Sequence, residues 1–290
     1  MKISAAHDTL AHIIKRKLGN PVTKNKATTI STQSNQVGKS HGVTPQYIIN
    51  SSETLQQRAS KRRQLTLLRQ QQNIETIMAL AIEYCPHVSN DEEPDPDWIE
   101  RFIALAEDTS NQAMQQLWAK ILAGETIKPG TFSYKSLLAL KQMTLKEAEA
   151  LQRAVSIAGR SSQDNSSLIL LGYYKKPTLL NFFRLQGKIN LNLSKAGLSF
   201  PNILTLIDIA VFYDQEIEST ELNIGQEYNL SFNNIDCTLR AKKDGLILTY
   251  YKFTQTGDEL TTLSNPQLNT NYKQQLDTLF SSDFEVIWSK

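Results

Sequence analysis

The chain has 290 residues, of which 40% are hydrophobic and 21% are charged, a composition typical of a soluble globular protein. No stretch approaches the ~20 consecutive apolar residues that a membrane-spanning helix needs, and the N-terminal segment lacks the apolar run of a secretory signal. The two cysteines lie far apart and do not indicate a disulfide framework. These features predict a cytoplasmic protein.

Charge is divided unevenly along the chain. Residues 1–73 hold 12 Lys and Arg against two acidic residues, whereas the rest of the chain holds 19 against 27. The net charge of +2 therefore hides a basic N-terminal part and a mildly acidic remainder. Such asymmetry is typical of a basic arm that seeks phosphates, an anionic membrane or an acidic partner, or that folds back on its own body.

The first 50 residues predict a basic, flexible arm. Residues 5–18 carry apolar side chains at helical spacing beside Lys15, Arg16 and Lys17, which predicts a short amphipathic helix. Residues 19–50 are rich in Thr, Ser, Asn, Lys and Gly, and they hold too few large apolar residues to offset the entropy of ordering. We expect a linker there.

Residues 51–159 predict an antiparallel bundle of five helices. The first helix, 52–85, starts at a Ser52 cap. Leu67, Ile74 and Ala81 recur every seven residues, flanked by Ile77, Met78 and Tyr84, which predicts a core-facing stripe in its C-terminal half. Its N-terminal half is polar all round and is expected to project from the body. The later helix starts are predicted at Asp95, Ser110, Ser133 and Thr144. One helix end is predicted at Gly124, read as a residue in the left-handed conformation.

Residues 168–290 predict a smaller α+β domain, joined to the bundle by a polar linker at 160–167. Strands are predicted at 168–174, 227–232, 237–242, 246–254 and 284–288, and helices at 178–187, 202–212 and 274–280. Asn233-Asn234 and Asp244-Gly245 are typical hairpin turns. Helices followed by hairpins also admit a winged-helix-like domain, which the sequence does not require.

The sequence holds no common catalytic motif, and we predict no catalytic residue, cofactor or metal site. Phosphate-loop, nucleophile-elbow and zinc-protease patterns are missing. Cys85-Pro86-His87 offers two metal ligands without a second pair. The acidic run from Asp91 to Asp97 precedes a helix, where the helix dipole favours negative charge. Trp98 and Trp118 recur at helical spacing with other apolar residues, which favours the core over a ligand platform.

Basic residues on the long helix are the best functional candidates. The predicted binding residues for nucleic acid or an acidic partner are Lys15, Arg16, Lys17, Arg58, Lys61, Arg62, Arg63 and Arg69. Neutralising several phosphates would give salt-sensitive, sequence-independent binding. Three alternatives stay open: a solvated face that only keeps the protein soluble, binding of the 5–18 helix to anionic lipid, and a homo-oligomer formed through helix 52–85.

Residues 117–151 resemble a family of uncharacterised bacterial proteins of unknown function with a W-A-x-I-L-A-x-E, P-G-x-F/Y-S and L-x-E-A pattern. The matching residues are Trp118, Ala119, Ile121, Leu122, Ala123, Glu125, Pro129, Gly130, Phe132, Ser133, Leu145, Glu147 and Ala148, with Leu137, Leu138 and Leu140 between the second and third motifs. Upstream, the acidic segment from Asp95 to Phe102 also fits. A weaker similarity, to an L-T-x-x-G-x-E-L element, covers Phe253, Thr254, Gly257, Glu259 and Leu260.

The resemblance carries no established activity or catalytic residue to this chain. A similar helical motif in alpha-type abortive-infection proteins implies a role in phage defence by association. We therefore expect a non-enzymatic interaction or scaffold protein with a basic N-terminal arm that binds nucleic acid or an unknown protein partner. The alternative is a DNA-binding regulator that uses a winged-helix-like C-terminal domain, and an enzyme is a third reading.

Overall fold

The computed structural model describes residues 54–85, 92–176, 187–233 and 235–289. The predicted basic arm at 1–50, with Lys15, Arg16 and Lys17, lies outside the described residues, as does most of the helix predicted at 178–187. The fold is mixed α+β, with eight helices and one eight-stranded antiparallel sheet in the described ranges. No helix among the described residues is long and apolar enough to cross a membrane.

The chain divides into two compact units, and the boundary along the sequence lies between Tyr134 and Lys135. The helices are α1 (Leu55–Tyr84), α2 (Pro96–Ala106), α3 (Gln112–Ile127), α4 (Tyr134–Gln142), α5 (Leu145–Val155), α6 (Phe200–Asp208), α7 (Gln255–Thr261) and α8 (Thr270–Phe280). The first unit holds α1 to α3, and the second holds α5 to α8 with the sheet. The predicted five-helix bundle and the predicted domain boundaries stay predictions.

Helix α1 runs for 30 residues within the predicted range 52–85, and its C-terminal half carries the predicted stripe, but the cap is not the predicted one. Thr54, not Ser52, is the N-cap, and it forms a capping box with Gln57. The side chains that are buried are Ile74, Ile77, Met78 and Ala81, whereas Leu67 is 57% exposed. The stripe therefore lies in the C-terminal half of the helix, as predicted, and α3 packs against that half. Leu67 does not belong to it.

The starts of α2 and α5 are as predicted, and the start of α3 is shifted by one residue. Asp95 accepts hydrogen bonds from the N–H groups at the start of α2, and Thr144 forms a capping box for α5. Asn111, rather than Ser110, caps α3 through a 3.1 Å hydrogen bond from Met114 N–H. Short polar caps at the expected spacing thus locate helix starts to within one or two residues.

The sheet of the second unit has the strand order β4-β7-β2-β1-β5-β6-β8, with β3 paired to β2. Its strands are β1 (Gly159–Ser161), β2 (Ser167–Lys175), β3 (Ile189–Asn190), β4 (Ile217–Glu218), β5 (Glu227–Phe232), β6 (Ile235–Ala241), β7 (Leu246–Lys252) and β8 (Phe284–Ser289). Helix α8 packs its aromatic residues on the sheet, and Tyr272 donates a 3.0 Å hydrogen bond to the Leu170 carbonyl. Burial raises the pKa of Tyr173 to about 12, so its hydroxyl remains a donor to Asp283 at 3.0 Å.

Two predictions about the second unit are wrong. The polar segment 160–167 is not a linker, because residues 159–161 form β1, which connects directly to β2 through a short turn. Asp244-Gly245 is a turn but not a hairpin, because the strands it joins, β6 and β7, are not neighbours in the sheet. The Asn233-Asn234 hairpin is confirmed by the pairing of Phe232 with Ile235. A winged helix is not shown in the described ranges.

Candidate nucleic-acid interface

The N-terminal half of α1 is a basic surface. Between Leu55 and Gln70 the sequence has five Lys or Arg residues and no Asp or Glu. Every residue from Leu55 to Gln64 is exposed except Arg58, which is half-buried, as is Arg69 further along the helix. We call this stretch, residues 55–70, the basic half of α1.

Helical geometry places four of the five cations on one side of α1. Counting roughly 100° per residue, Arg58, Lys61, Arg62 and Arg69 fall within a sector of about 100°. This sector lies roughly 150° around the axis from the stripe that is buried further along the helix. Arg63 lies on the other side and is exposed because the packed part of the helix begins only after it. The structure therefore brings four predicted residues to one face and leaves the fifth apart from them.

Polar contacts at the middle of α1 fix where the basic half begins. Gln70 Nε2 donates hydrogen bonds to Glu107 and Asp108, both at 3.0 Å. One turn later, Asn73 Nδ2 donates to the Glu107 carbonyl at 2.8 Å and to Ser110 Oγ at 3.1 Å. These bonds tie α1 to the α2–α3 connection from residue 70 onward. The basic half precedes this attachment, and its first turn is closed by the Thr54 capping box.

Apolar side chains are interspersed with the cations, but aromatic ones are not. Leu55, Leu67 and Leu68 are 74%, 57% and 61% exposed. No Phe, Tyr or Trp occurs between residues 55 and 70. Proteins that hold single-stranded nucleic acid stack bases on aromatic rings. The basic half lacks these rings, so its chemistry suits phosphates rather than bases.

Neither cysteine has the environment of a nucleophile. Burial raises the pKa of the Cys237 thiol to about 12, and burial also raises the pKa of Cys85. Both thiols are therefore protonated at neutral pH, whereas the thiolate is the reactive form. Within the described ranges, no three His, Cys, Asp or Glu side chains are grouped as a metal site would require. His87 lies outside those ranges.

The W-A-x-I-L-A-x-E and P-G-x-F/Y-S patterns at residues 118–133, which we call the first signature motif, form a structural joint around a buried carboxylate. Glu125 lies inside α3, is 2% exposed, and accepts hydrogen bonds from the N–H groups of Gly130 at 2.7 Å and Phe132 at 2.9 Å. The Trp98 indole N–H donates to the Phe132 carbonyl at 2.7 Å. A Cβ on Gly124 would lie 2.8 Å from the Phe132 ring, so this glycine provides room for the ring. The predicted helix end at Gly124 is wrong, because α3 continues to Ile127.

The L-T-x-x-G-x-E-L element at residues 253–260, which we call the second signature motif, forms a similar joint in the other unit. Thr254 caps α7 by accepting the Gly257 N–H at 3.0 Å. A Cβ on Gly257 would lie 2.2 Å from the Val211 carbonyl oxygen, so only glycine fits there. Glu259 accepts a 2.5 Å hydrogen bond from the buried hydroxyl of Ser136. Both motifs thus hold loops and helices in place.

The role of Glu125 was missed because the sequence places the acid next to a glycine that looks like a helix stop. Its five- and seven-residue spacing to Gly130 and Phe132 is the signal that could have identified it. A carboxylate at the end of a helix can accept the N–H groups of the following turn, much as a cap does at a helix start.

Comparison with known proteins identifies the family without adding an activity. No curated protein and no solved structure matches the chain significantly. The family described as "Protein of unknown function (DUF2806)" matches residues 57–277, a range that takes in both signature motifs and the five cations of the basic half. Because this match covers well over half of the chain, the protein belongs to the DUF2806 family.

Proposed function

We propose that this protein is a non-enzymatic nucleic-acid-binding protein that contacts the phosphate backbone through the basic half of α1. The observation that carries the proposal is a run of five cations with no carboxylate on the exposed half of a long helix. A phage-defence role, which the sequence resemblance implies, is part of this proposal and rests on that resemblance alone.

The size of the basic half suits a duplex. The helix rises about 1.5 Å per residue, so Arg58 and Arg69 are about 16 Å apart along the axis. Duplex DNA carries about one charge per 1.7 Å, so this length faces roughly ten phosphate charges. A helix of this diameter also fits the major groove. Contacts between cations and phosphates carry no sequence information, so this binding should be independent of sequence.

Electrostatic binding of this kind has a measurable salt dependence. Each neutralised phosphate changes the slope of log affinity against log salt by about 0.9, so four contacts give a slope near −3.6. Between 50 and 200 mM salt, affinity for a duplex should then fall by about 100-fold. Cations elsewhere in the chain would steepen the slope, so the difference between variants isolates α1.

The test is fluorescence anisotropy of a labelled duplex with the full chain and the variant Lys61→Gln/Arg62→Gln, which removes two of the four cations on the same face. Both side chains are exposed, and glutamine keeps the helix propensity. We expect weaker binding at low salt and a slope that is less steep by about 2. The matched control is Lys146→Gln/Arg153→Gln, which removes the same charge from exposed positions on α5.

The outcomes separate the readings. Loss of binding in the α1 variant but not in the control supports the proposal. Equal loss in both variants means that only net charge matters, and no binding of wild type to DNA or RNA at 50 mM salt rejects the proposal. If unlabelled polyglutamate displaces the duplex but nucleic acid competes poorly, the surface serves an acidic protein partner instead.

A further inference from the structure

The second unit contains a polar cleft that the proposed function does not use. Its volume is about 410 Å³, within the range of about 300–1,000 Å³ that is usual for small-molecule sites. Its walls come from the end of α5, the strands β1, β2 and β5, and the segment that follows α7. We propose that this cleft binds a small phosphate-bearing molecule, with Arg160 as the residue that contacts the phosphate.

Strand register fixes the geometry around Arg160. In the sheet, Arg160 of β1 pairs directly with Ser167 of β2 on one side and with Ser231 of β5 on the other. Residues that face each other across antiparallel strands point to the same face, with Cβ atoms about 5 Å apart. The Cβ of Arg160 therefore lies between those of two serines, all three of which line the cleft. This arrangement offers charged and neutral donors to the oxygens of one anion.

Arg160 carries a charge that no carboxylate of the described residues neutralises. Its side chain donates a 2.9 Å hydrogen bond from Nη1 to the Asn165 carbonyl, which orients the group without pairing the charge. Of the nearby acids, Asp258 accepts the Ser167 N–H at 2.9 Å, and Asp164 accepts Lys252 and Ser166. Asp236 pairs with Ser231 from β6, one strand further from Arg160, and does not line the cleft. The remaining guanidinium donors are available to a ligand.

The lining of the cleft excludes a cation and favours an anion. No Asp or Glu lines it, whereas hydroxyl and amide side chains do. Gly159 also lines the cleft, and a Cβ on this residue would lie 2.8 Å from the Phe232 ring. The backbone of β1 therefore packs closely against this buried ring. The volume exceeds that of a bare phosphate ion, so a phosphate monoester with a polar body suits it better. The hydroxyls and amides of Thr262, Ser264 and Asn265 can contact that body.

The proposal is tested by isothermal titration calorimetry on the full chain with three probes: inorganic phosphate, ribose 5-phosphate and adenosine 5′-monophosphate. Adenosine without phosphate is the ligand control. For a phosphate probe that binds the wild type, Arg160→Gln should weaken binding by about tenfold or more, the usual effect of losing one charge-assisted contact. Arg153→Gln, which removes an exposed arginine from α5, should leave the affinity unchanged.

A second variant keeps the test valid if Arg160→Gln perturbs folding. Asn265 lines the cleft and is exposed, so Asn265→Asp changes little in shape and places a repelling carboxylate in the cleft. Weaker phosphate binding in both variants, with unchanged circular dichroism, supports the site. Tighter binding of a monoester than of inorganic phosphate indicates a phosphorylated molecule, and equal binding indicates the free ion. The proposal is overturned if no phosphate probe binds at about 5 mM, if Arg160→Gln binds as well as wild type, or if adenosine binds equally.

Discussion

Replacing Glu125 with glutamine tests whether the first signature motif is a structural joint. Glutamine has nearly the same shape but offers one acceptor oxygen where the carboxylate offers two. In the native protein the two oxygens accept the Gly130 and Phe132 N–H groups at 2.7 and 2.9 Å, at a position that is 2% exposed. In Glu125→Gln, one of these N–H groups therefore faces an amide donor.

The magnitude follows from these contacts. A hydrogen bond to a charged group contributes about 1.5–3 kcal/mol, and a buried donor left without a partner costs about 1–3 kcal/mol. The second bond persists but becomes a neutral one, which is about half as strong. We expect the free energy of unfolding to fall by about 2–4 kcal/mol. Urea denaturation followed by tryptophan fluorescence measures it, since Trp98 and Trp118 lie in the same unit as the joint.

The matched control is Glu93→Gln, an exposed glutamate in the same unit that should change stability by less than about 0.5 kcal/mol. An unchanged urea midpoint in Glu125→Gln would show that the two hydrogen bonds do not stabilise the joint. A large loss of nucleic-acid binding at unchanged stability would show that the motif carries function, contrary to the reasoning above.

Three further predictions concern packing and charge. Trp118 is fully buried, so Trp118→Ala should lower the free energy of unfolding by about 3–5 kcal/mol in urea, and a smaller loss would mean that the cavity collapses. Gly172→Ala would place a Cβ 1.8 Å from a β3 carbonyl oxygen and should cost about 3 kcal/mol, whereas Gly187→Ala, with no atom within 4 Å, is the neutral control. The hydrogen bond from the Lys252 ammonium lowers the pKa of Asp164 to about 2. The contribution of this ion pair to the free energy of unfolding is therefore complete above about pH 4 and is lost as pH falls towards 2. Wild type and Asp164→Asn should differ by less than about 1 kcal/mol at neutral pH and converge at pH 2 in urea titrations, because the pair is half-exposed.

Features that depend on local chemistry were predictable from the sequence. The starts of α2 and α5 follow from Asp95-Pro96 and from the Thr144 capping box, which act within a few residues of the chain. The Asn233-Asn234 hairpin is equally local. Such signals succeed because the partner of each group lies three or four residues away.

Features that depend on distant partners were not predictable. Gly124 looks like a helix end until the Phe132 ring is seen to occupy the space beside it. Asp244-Gly245 looks like a hairpin turn, but β6 pairs with β8 from the chain's end, and β7 pairs with β2. The polar residues of β1 look like a linker because one face of that strand is a polar cleft. In each case the deciding contact joins residues of different elements, whereas the spacing of apolar residues reports on one element at a time.

Charge counting and helical spacing single out Arg58, Lys61, Arg62 and Arg69 as neighbours on one helix face from the sequence alone. Their role in binding stays a prediction. The Arg160 cleft was missed entirely, since Arg160 and its two serine neighbours come from three strands whose order no local pattern specifies.

The family match shows which of the predicted binding residues lie within the matched range and which lie before it. It begins at Gln57, so the five cations of α1 lie within the matched range, whereas Lys15, Arg16 and Lys17 lie before it. If nucleic-acid binding resides in α1, a chain that starts at residue 51 should retain the salt-sensitive binding and lose only the contribution of the arm. If binding instead disappears with residues 1–50, the arm carries the activity, and the cations of α1 form a solvated face. Because both signature motifs build joints, the function of this family is better sought on surfaces such as α1 and the Arg160 cleft than among the motif residues.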